Sequence, residues 1–218
     1  MNDAMSLGVH RLWKDYFVNG LYLQPSTKLL DVAGGTGDIA FRALRKIQEK
    51  HHSEGHVTVS DINQKMLDVG ILRADEDLNL NKAKLSWVCA DAEKLPFEND
   101  SFDTYTIAFG IRNCIHIDNV LSEAYRVLKP NGRFACLEFS RIDSTLKPLY
   151  DLYSFQMIPM MGQILANDYN SYKYLVESIR VFPDQHSFAQ LIKQAGFKDI
   201  TYENLTFGIC AIHTGFKR

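Results

Sequence analysis

The sequence predicts an α/β fold, a mostly parallel, doubly wound sheet of seven strands with helices on both faces. Three observations carry that expectation. Short apolar, β-branched runs alternate with segments of helical period as far as residue 139. Three of the runs lead to an acid, Asp31, Asp61 and Asp91, at the spacing of successive βαβ units. Between the first run and the first helix lie Gly34, Gly35 and Gly37, which mark a tight turn where backbone approaches a ligand closely.

Val9, Leu12, Trp13, Tyr16 and Phe17 fall at i, i+3, i+4, i+7 and i+8, so residues 1–23 hold an amphipathic N-terminal helix. Its apolar stripe is expected to cover the sheet edge, the mouth of a ligand site, or both, with His10 and Arg11 solvated or capping. Leu29 and Leu30 close the first strand, and Ile39, Ala40, Ala43, Leu44 and Ile47 give the helix that follows. Residues 56–60 form the second strand; Asn63 caps a helix through Met66, Val69 and Gly70, leaving the acidic stretch 74–81 as a turn.

The third and fourth strands are expected at 85–89 and 102–109. Ile117, Val120, Leu121, Ala124 and Leu128 make the next helix, and Lys129-Pro130-Asn131-Gly132 a turn into the fifth strand, 134–139. Residues 141–186 break the rhythm with aromatics, methionines and the polar block 167–172, and are read as a helical insertion on the substrate side. A last helix through Phe188, Leu191, Ile192 and Ala195 stops at Gly196, before two antiparallel closing strands at 198–206 and 209–216. No repeat or linker divides the chain, so 1–218 is expected to be a single domain.

Composition narrows the function. The 218 residues are 46% hydrophobic and 23% charged, as in ordinary globular proteins. A net charge of −2 provides no basic footprint for nucleic acid. Cys89, Cys114, Cys136 and Cys210 lie far apart, so neither a metal site nor a disulfide framework is expected; they read as reduced core cysteines of an intracellular protein. The longest apolar region, 155–166, is cut by Pro159 and Gly162 and falls short of the roughly 20 residues a membrane span needs. The opening residues show no signal- or transit-peptide pattern.

Charge also decides what the glycine turn holds. A dinucleotide fingerprint lays a pyrophosphate on the helix N-terminus, where an acid would repel it. Here Asp31 precedes the glycines and Asp38 follows them. S-adenosylmethionine has no phosphate but carries a sulfonium and an ammonium group, which suit carboxylates at a strand end. Asp61 is placed to accept the ribose hydroxyls, and Asp91-Ala92 to clamp the adenine amino group.

Longer motifs then point to a family. Residues 1–14, MNDAMSLGVHRLWK, and Arg126 to Gly132 through Leu137-Glu138-Phe139-Ser140 resemble the two signatures of the ubiquinone/menaquinone biosynthesis C-methyltransferases. Asp31 to Asp38, Phe109 to Asn113 and Tyr174 to Ile179 match as well, and the wording of 150–155 and 178–185 is similar to the mitochondrial coenzyme Q branch. Asn131 stands where the family usually has a glycine, without expected cost because Asn tolerates the left-handed region. Ala108 replaces a serine that touches the cofactor in bacterial relatives, so that contact is not carried over.

The resemblance implies a Rossmann-like class I S-adenosylmethionine-dependent methyltransferase acting on a ring carbon of a polyprenyl methoxy-benzoquinol. Other coenzyme Q biosynthesis proteins and a membrane surface are the implied partners; a homodimer is left open. The implied location is the mitochondrial matrix, peripheral to the inner membrane, or the cytoplasm if the source is not eukaryotic. Asp31, Gly35, Thr36, Gly37, Asp61, Ile62, Asp91 and Ala92 are assigned to the cofactor. Arg112 is assigned to a developing ring oxyanion, His116 to proton removal and Asn113 to substrate orientation. Tyr153, Met160 and Asp168 of the insertion are expected at the substrate, with the neighbouring methionines and aromatics as a wall for its tail. The competing readings are a non-catalytic cofactor-binding scaffold and a methyltransferase of another small phenolic acceptor.

Overall fold

The computed structural model describes residues 9–49, 53–141, 174 and 177–218. Seven strands form one sheet, β1 (Lys28–Val32), β2 (His56–Asp61), β3 (Leu85–Cys89), β4 (Phe102–Ala108), β5 (Leu128–Phe139), β6 (Lys198–Leu205) and β7 (Cys210–Phe216). Their order is β3-β2-β1-β4-β5-β7-β6. The first five pair in parallel, whereas β7 runs antiparallel to both β5 and β6. The strand order reverses at β1/β4, which opens a crevice at the carboxyl ends of those two strands.

Alternation along each central strand builds two cores. Leu29 with Ala135 and Leu137 faces one layer, and Leu30 with Phe134 and Cys136 the other. The helices α1 (Val9–Asn19), α2 (Asp38–Gln48) and α3 (Gln64–Glu76) contribute to the first core, α4 (Ile117–Val127) and α5 (Gln185–Gln194) to the second. On α2, Ile39, Phe41, Leu44 and Ile47 are buried, each worth roughly 1.5–3 kcal/mol relative to exposure. On α3, a Cβ at Gly70 would come 2.5 Å from the Trp87 ring. Glycine costs about 1 kcal/mol in a helix but here lets α3 lie against β3.

Several expectations are corrected. The buried face of α1 is His10, Trp13, Lys14, Phe17 and Val18, while Leu12 and Tyr16 are exposed, so the helix is turned from its apolar-stripe orientation and His10 is not solvated. Hydrogen bonds fix it there: Trp13 Nε1 donates to Thr206 Oγ1 at 2.9 Å and Lys14 Nζ to Asp38 Oδ2 at 2.7 Å. α3 runs to Glu76, past the expected start of the turn. Residues 129–132 are a bulge inside β5, where Phe102↔Leu128 gives way to Thr104↔Arg133. Asn131 takes the left-handed conformation there (φ 64°), and its amide donates to the Lys217 carbonyl. Cys136 and Cys210 are core cysteines, but Cys89 is exposed. Most of the expected insertion lies outside the described residues.

The fold also contains a pH-sensitive joint. His213 on β7 is buried, its Nε2 bonded to the Gln185 carbonyl at 2.9 Å and its ring edge-on to Phe188. Burial pushes its pKa down to about 4. An unfolded histidine titrates near 6.5, so between about pH 6.5 and 4 the unfolded chain binds a proton that the native chain refuses. Stability therefore falls on acidification through that window, by up to about 3 kcal/mol. His213→Leu is expected to flatten this part of a denaturation-midpoint series against pH; parallel curves for variant and wild type would refute the assignment.

Candidate active site

The turn after β1 is shaped around a buried carboxylate. Asp31 is 1% exposed, and its Oδ1 accepts from the Thr106 hydroxyl on β4 at 2.8 Å. Among the described residues no hydrogen bond reaches its Oδ2. Gly34 leaves room for that oxygen, since a Cβ there would meet Oδ2 at 2.9 Å and Val59 at 2.6 Å. Desolvation raises the Asp31 pKa to about 7, against the Thr106 hydroxyl and the Ala40 amide, which favour the charged form. A buried acceptor unpartnered among the described residues, in a turn where Gly34 has no room for a side chain, fits the cationic end of S-adenosylmethionine.

Asp61, at the end of β2, lies across the same turn. Its Oδ2 accepts from the Gly35 amide and its Oδ1 from the Asn63 amide, both at 2.8 Å. The left-handed Gly35 (φ 53°) aims that amide, and Met66 stands 3.4 Å from where its Cβ would be. Ile62, next in sequence, is 71% exposed. From β3, Asp91 is exposed and Ala92 buried; Asp91 Oδ1 accepts the Glu93 amide. Thr36 is engaged by Arg73, which donates to its hydroxyl at 2.7 Å.

Asp38 behaves differently from expectation. Lys14 and Arg42 both pair with it, and despite partial burial these contacts lower its pKa. Its charge is already matched, so it ties α1 to the turn, and the electrostatic case for a cationic ligand rests on Asp31 and Asp61.

The turn after β4 abuts the glycine turn, because a Cβ at Gly110 would lie 2.4 Å from that of Ala33. It continues as a single 3₁₀ turn, Ile111–Asn113, that carries Arg112 back over the end of β5. There Arg112 Nη1 donates to Glu138 Oε1 at 2.9 Å and to the Phe109 carbonyl at 2.6 Å, with the guanidinium 5.4 Å above the Phe139 ring. Glu138 is buried in this ion pair, at 1% exposed, and the Arg112 side chain is largely covered, at 10%. The Arg112 Nε is enclosed and has no partner among the described residues. Desolvation raises the Glu138 pKa, opposed chiefly by Arg112.

His116 stands at the N-cap of α4 without capping it through its side chain. Its Nδ1 is 3.2 Å from Glu93 Oε2, while Glu93 Oε1 accepts the amides of Ile115 and His116. Asn113 is exposed and accepts from the Tyr174 hydroxyl at 3.3 Å. Burial drives the Cys114 thiol up to about 11, so it is no nucleophile at neutral pH.

The structure thus gathers Asp31, Gly35, Thr36, Gly37 and Asp61 at one turn and Arg112, Asn113 and His116 at the next. Tyr153, Met160 and Asp168 lie outside the described residues. Three residues that contact the expected site side chains escaped the sequence reading: Thr106 at Asp31, Glu138 at Arg112 and Glu93 at His116. A glutamate inside the apolar run 134–139 was the one signal that pointed to any of them.

With this geometry in place, comparisons are informative. The model of the ubiE/COQ5 methyltransferase family matches residues 1–217. The "2-methoxy-6-polyprenyl-1,4-benzoquinol methylase, mitochondrial" of Drosophila melanogaster is 60% identical over 226 aligned residues, covering 100% of this chain and 75% of the relative. The Caenorhabditis elegans protein of the same name is 58% identical over 217 residues, covering 100% and 74%. Among solved structures, phosphoethanolamine N-methyltransferase 2 of Haemonchus contortus, in complex with S-adenosyl-L-methionine, superposes with a TM-score of 0.69 at 18% identity, over 94% of this chain and 52% of that one. At that identity the likeness speaks for the fold alone.

Proposed function

The chain belongs to the ubiE/COQ5 methyltransferase family, and on that footing we propose that Arg112 holds the ring oxyanion of a polyprenyl methoxy-benzoquinol while a neighbouring ring carbon is methylated. The protein is an S-adenosylmethionine-dependent C-methyltransferase of ubiquinone biosynthesis, of the quinol methylase type. The observation that supports the placement is the abutment of the Arg112 turn on the glycine turn at Gly110 and Ala33.

S-adenosylmethionine supplies, when bound, a methyl group activated on a sulfonium sulfur. Asp31 sets its charge against the cationic end of that ligand, Asp61 accepts from the ribose, Ile62 and Ala92 flank the base with Asp91 at its amino group, and Gly35, Thr36 and Gly37 form the wall of the turn. The quinol ring becomes nucleophilic at carbon as its hydroxyl proton leaves. His116, oriented by Glu93, accepts that proton, the Arg112 guanidinium stabilises the oxyanion left behind, and Asn113 orients the ring; once the carbon has taken the methyl group it loses its own C–H proton to water, and the proton held by His116 returns to the oxygen as the ring regains aromaticity. A guanidinium keeps its own proton in proteins, so Arg112 does not act as the base.

Tyr153, Met160 and Asp168 complete the substrate side in this reading, and 1–218 works as one domain. The relatives are mitochondrial by name. A polyprenyl tail partitions into lipid, which favours the matrix face of the inner membrane and contact with other coenzyme Q biosynthesis proteins. Among the described residues no helix is long and apolar enough to cross a membrane.

The experiment is transfer of labelled methyl from S-adenosylmethionine to a short-tailed 2-methoxy-6-prenyl-benzoquinol under reducing conditions, with the product located by NMR. Label on a ring carbon is expected. Cofactor binding without transfer to any quinol would favour the scaffold reading instead.

A further inference from the structure

We infer that Glu138 is a positioning residue for the methyl transfer: it fixes the Arg112 guanidinium at Nη1, so that the Nη2 N–H donors are held in one direction for the substrate oxygen. The inference rests on the assignment of Arg112 to the oxyanion and adds a residue that this assignment does not require.

The geometry is that of a clamp. Both Nη1 protons of Arg112 are used, one on Glu138 Oε1 at 2.9 Å and one on the Phe109 carbonyl at 2.6 Å. Glu138 Oε1 is itself held by the Phe139 amide at 2.9 Å, and Oε2 lies 3.4 Å from the Arg112 backbone amide. The Phe139 ring supports the guanidinium from one face. With five N–H donors in a rigid fork, fixing Nη1 at two points fixes the direction of all the rest. Among the described residues Nε–H is enclosed and no hydrogen bond engages Nη2, so Nη2 carries the donors left for a ligand.

A neutral, buried ion pair offers substrate little net charge. Its advantage lies in direction: a donor already aimed at the position of the developing oxyanion needs no reorganisation as charge appears. The same pair in a purely structural role would join β4 to β5, but these strands are already paired from Phe102↔Leu128 to Ala108↔Leu137.

Acceptor position and acceptor charge are separable by substitution. Glu138→Gln keeps an oxygen at the same reach for Nη1 and the Phe139 amide, whereas Glu138→Asp keeps the charge but withdraws it by one methylene. Glu138→Gln is expected to retain kcat within about tenfold, and Glu138→Asp to fall at least tenfold below Glu138→Gln, with KM for quinol changed less than about threefold and cofactor affinity unchanged in both. Equal or higher activity of Glu138→Asp relative to Glu138→Gln would overturn the inference, as would a loss that appears in cofactor binding. Arg112→Gln, assayed alongside, separates the two levels: inactive Arg112→Gln with wild-type kcat in both Glu138 variants refutes positioning alone, whereas fully active Arg112→Gln refutes the oxyanion assignment itself.

Discussion

Asp31→Asn is expected to bind S-adenosylmethionine at least 100-fold more weakly than the wild type while melting higher above pH 7. The substitution is nearly isosteric and keeps an oxygen for the Thr106 hydroxyl, so the turn has no reason to rearrange. What is lost is a charge buried beside the expected cation. At about 4 Å and an effective dielectric of about 20 such an attraction is worth about 4 kcal/mol, of which a hundredfold loss in affinity uses somewhat under 3.

The gain in stability follows from linkage. A carboxyl with a native pKa of about 7 binds a proton in the native state that the unfolded chain, titrating near 3.8, has already released. Stability thus declines as pH rises from about 4 to 7, by about 4 kcal/mol for a shift of this size. Asparagine never ionises and escapes that cost. Calorimetric titration and melting at pH 8 check both halves; wild-type cofactor affinity in Asp31→Asn would remove Asp31 from the binding site.

Loss of the Arg112 side chain has the second large effect, and it is twofold. Arg112→Gln is expected to lose 100- to 1000-fold in kcat with unchanged cofactor affinity, the range seen when an oxyanion donor is removed. Arg112→Ala is expected to lose about 3–5 kcal/mol of stability as well, because Glu138, 1% exposed, is left without its counter-ion. Glu138, already raised by burial, then rises further and protonates, so the deficit grows with pH. Chemical denaturation at two pH values measures this; equal stability losses at pH 6 and 8 would mean that Glu138 remains charged without Arg112.

Much of this site was legible because strand ends are a local property. An apolar run, an acid and a glycine turn each announce themselves within a few residues, so Asp31, Asp61 and Asp91 could be ordered before any strand was paired. Glu138 could not be understood that way. Its partner lies 26 residues earlier, and the pair becomes visible only when β4 and β5 are neighbours. The same limit hid the position of β7, read correctly as antiparallel to β6 but with no local sign that it enters between β5 and β6.

The orientation of α1 was misread for another reason. Counting apolar residues selected Leu12 and Tyr16, but a lysine buries its stem when its ammonium finds a partner. Lys14 does so, reaching Asp38 and lying 5.9 Å above the Phe109 ring, and the helix turns with it. Asp38, read from the sequence only as an acid that would repel a pyrophosphate, is the partner that the sequence could not identify.

The assignment of Arg112 to the oxyanion requires its turn to favour the ionised quinol. It is tested most directly by anaerobic ultraviolet difference titration of a short-tailed quinol bound with S-adenosylhomocysteine, read at the phenolate band. The bound quinol is expected to ionise at least about 2 pH units below the free one, equivalent to about 3 kcal/mol of selective stabilisation, and to lose that shift in Arg112→Gln. Ionisation of bound and free quinol at the same pH would remove Arg112 from the oxyanion role.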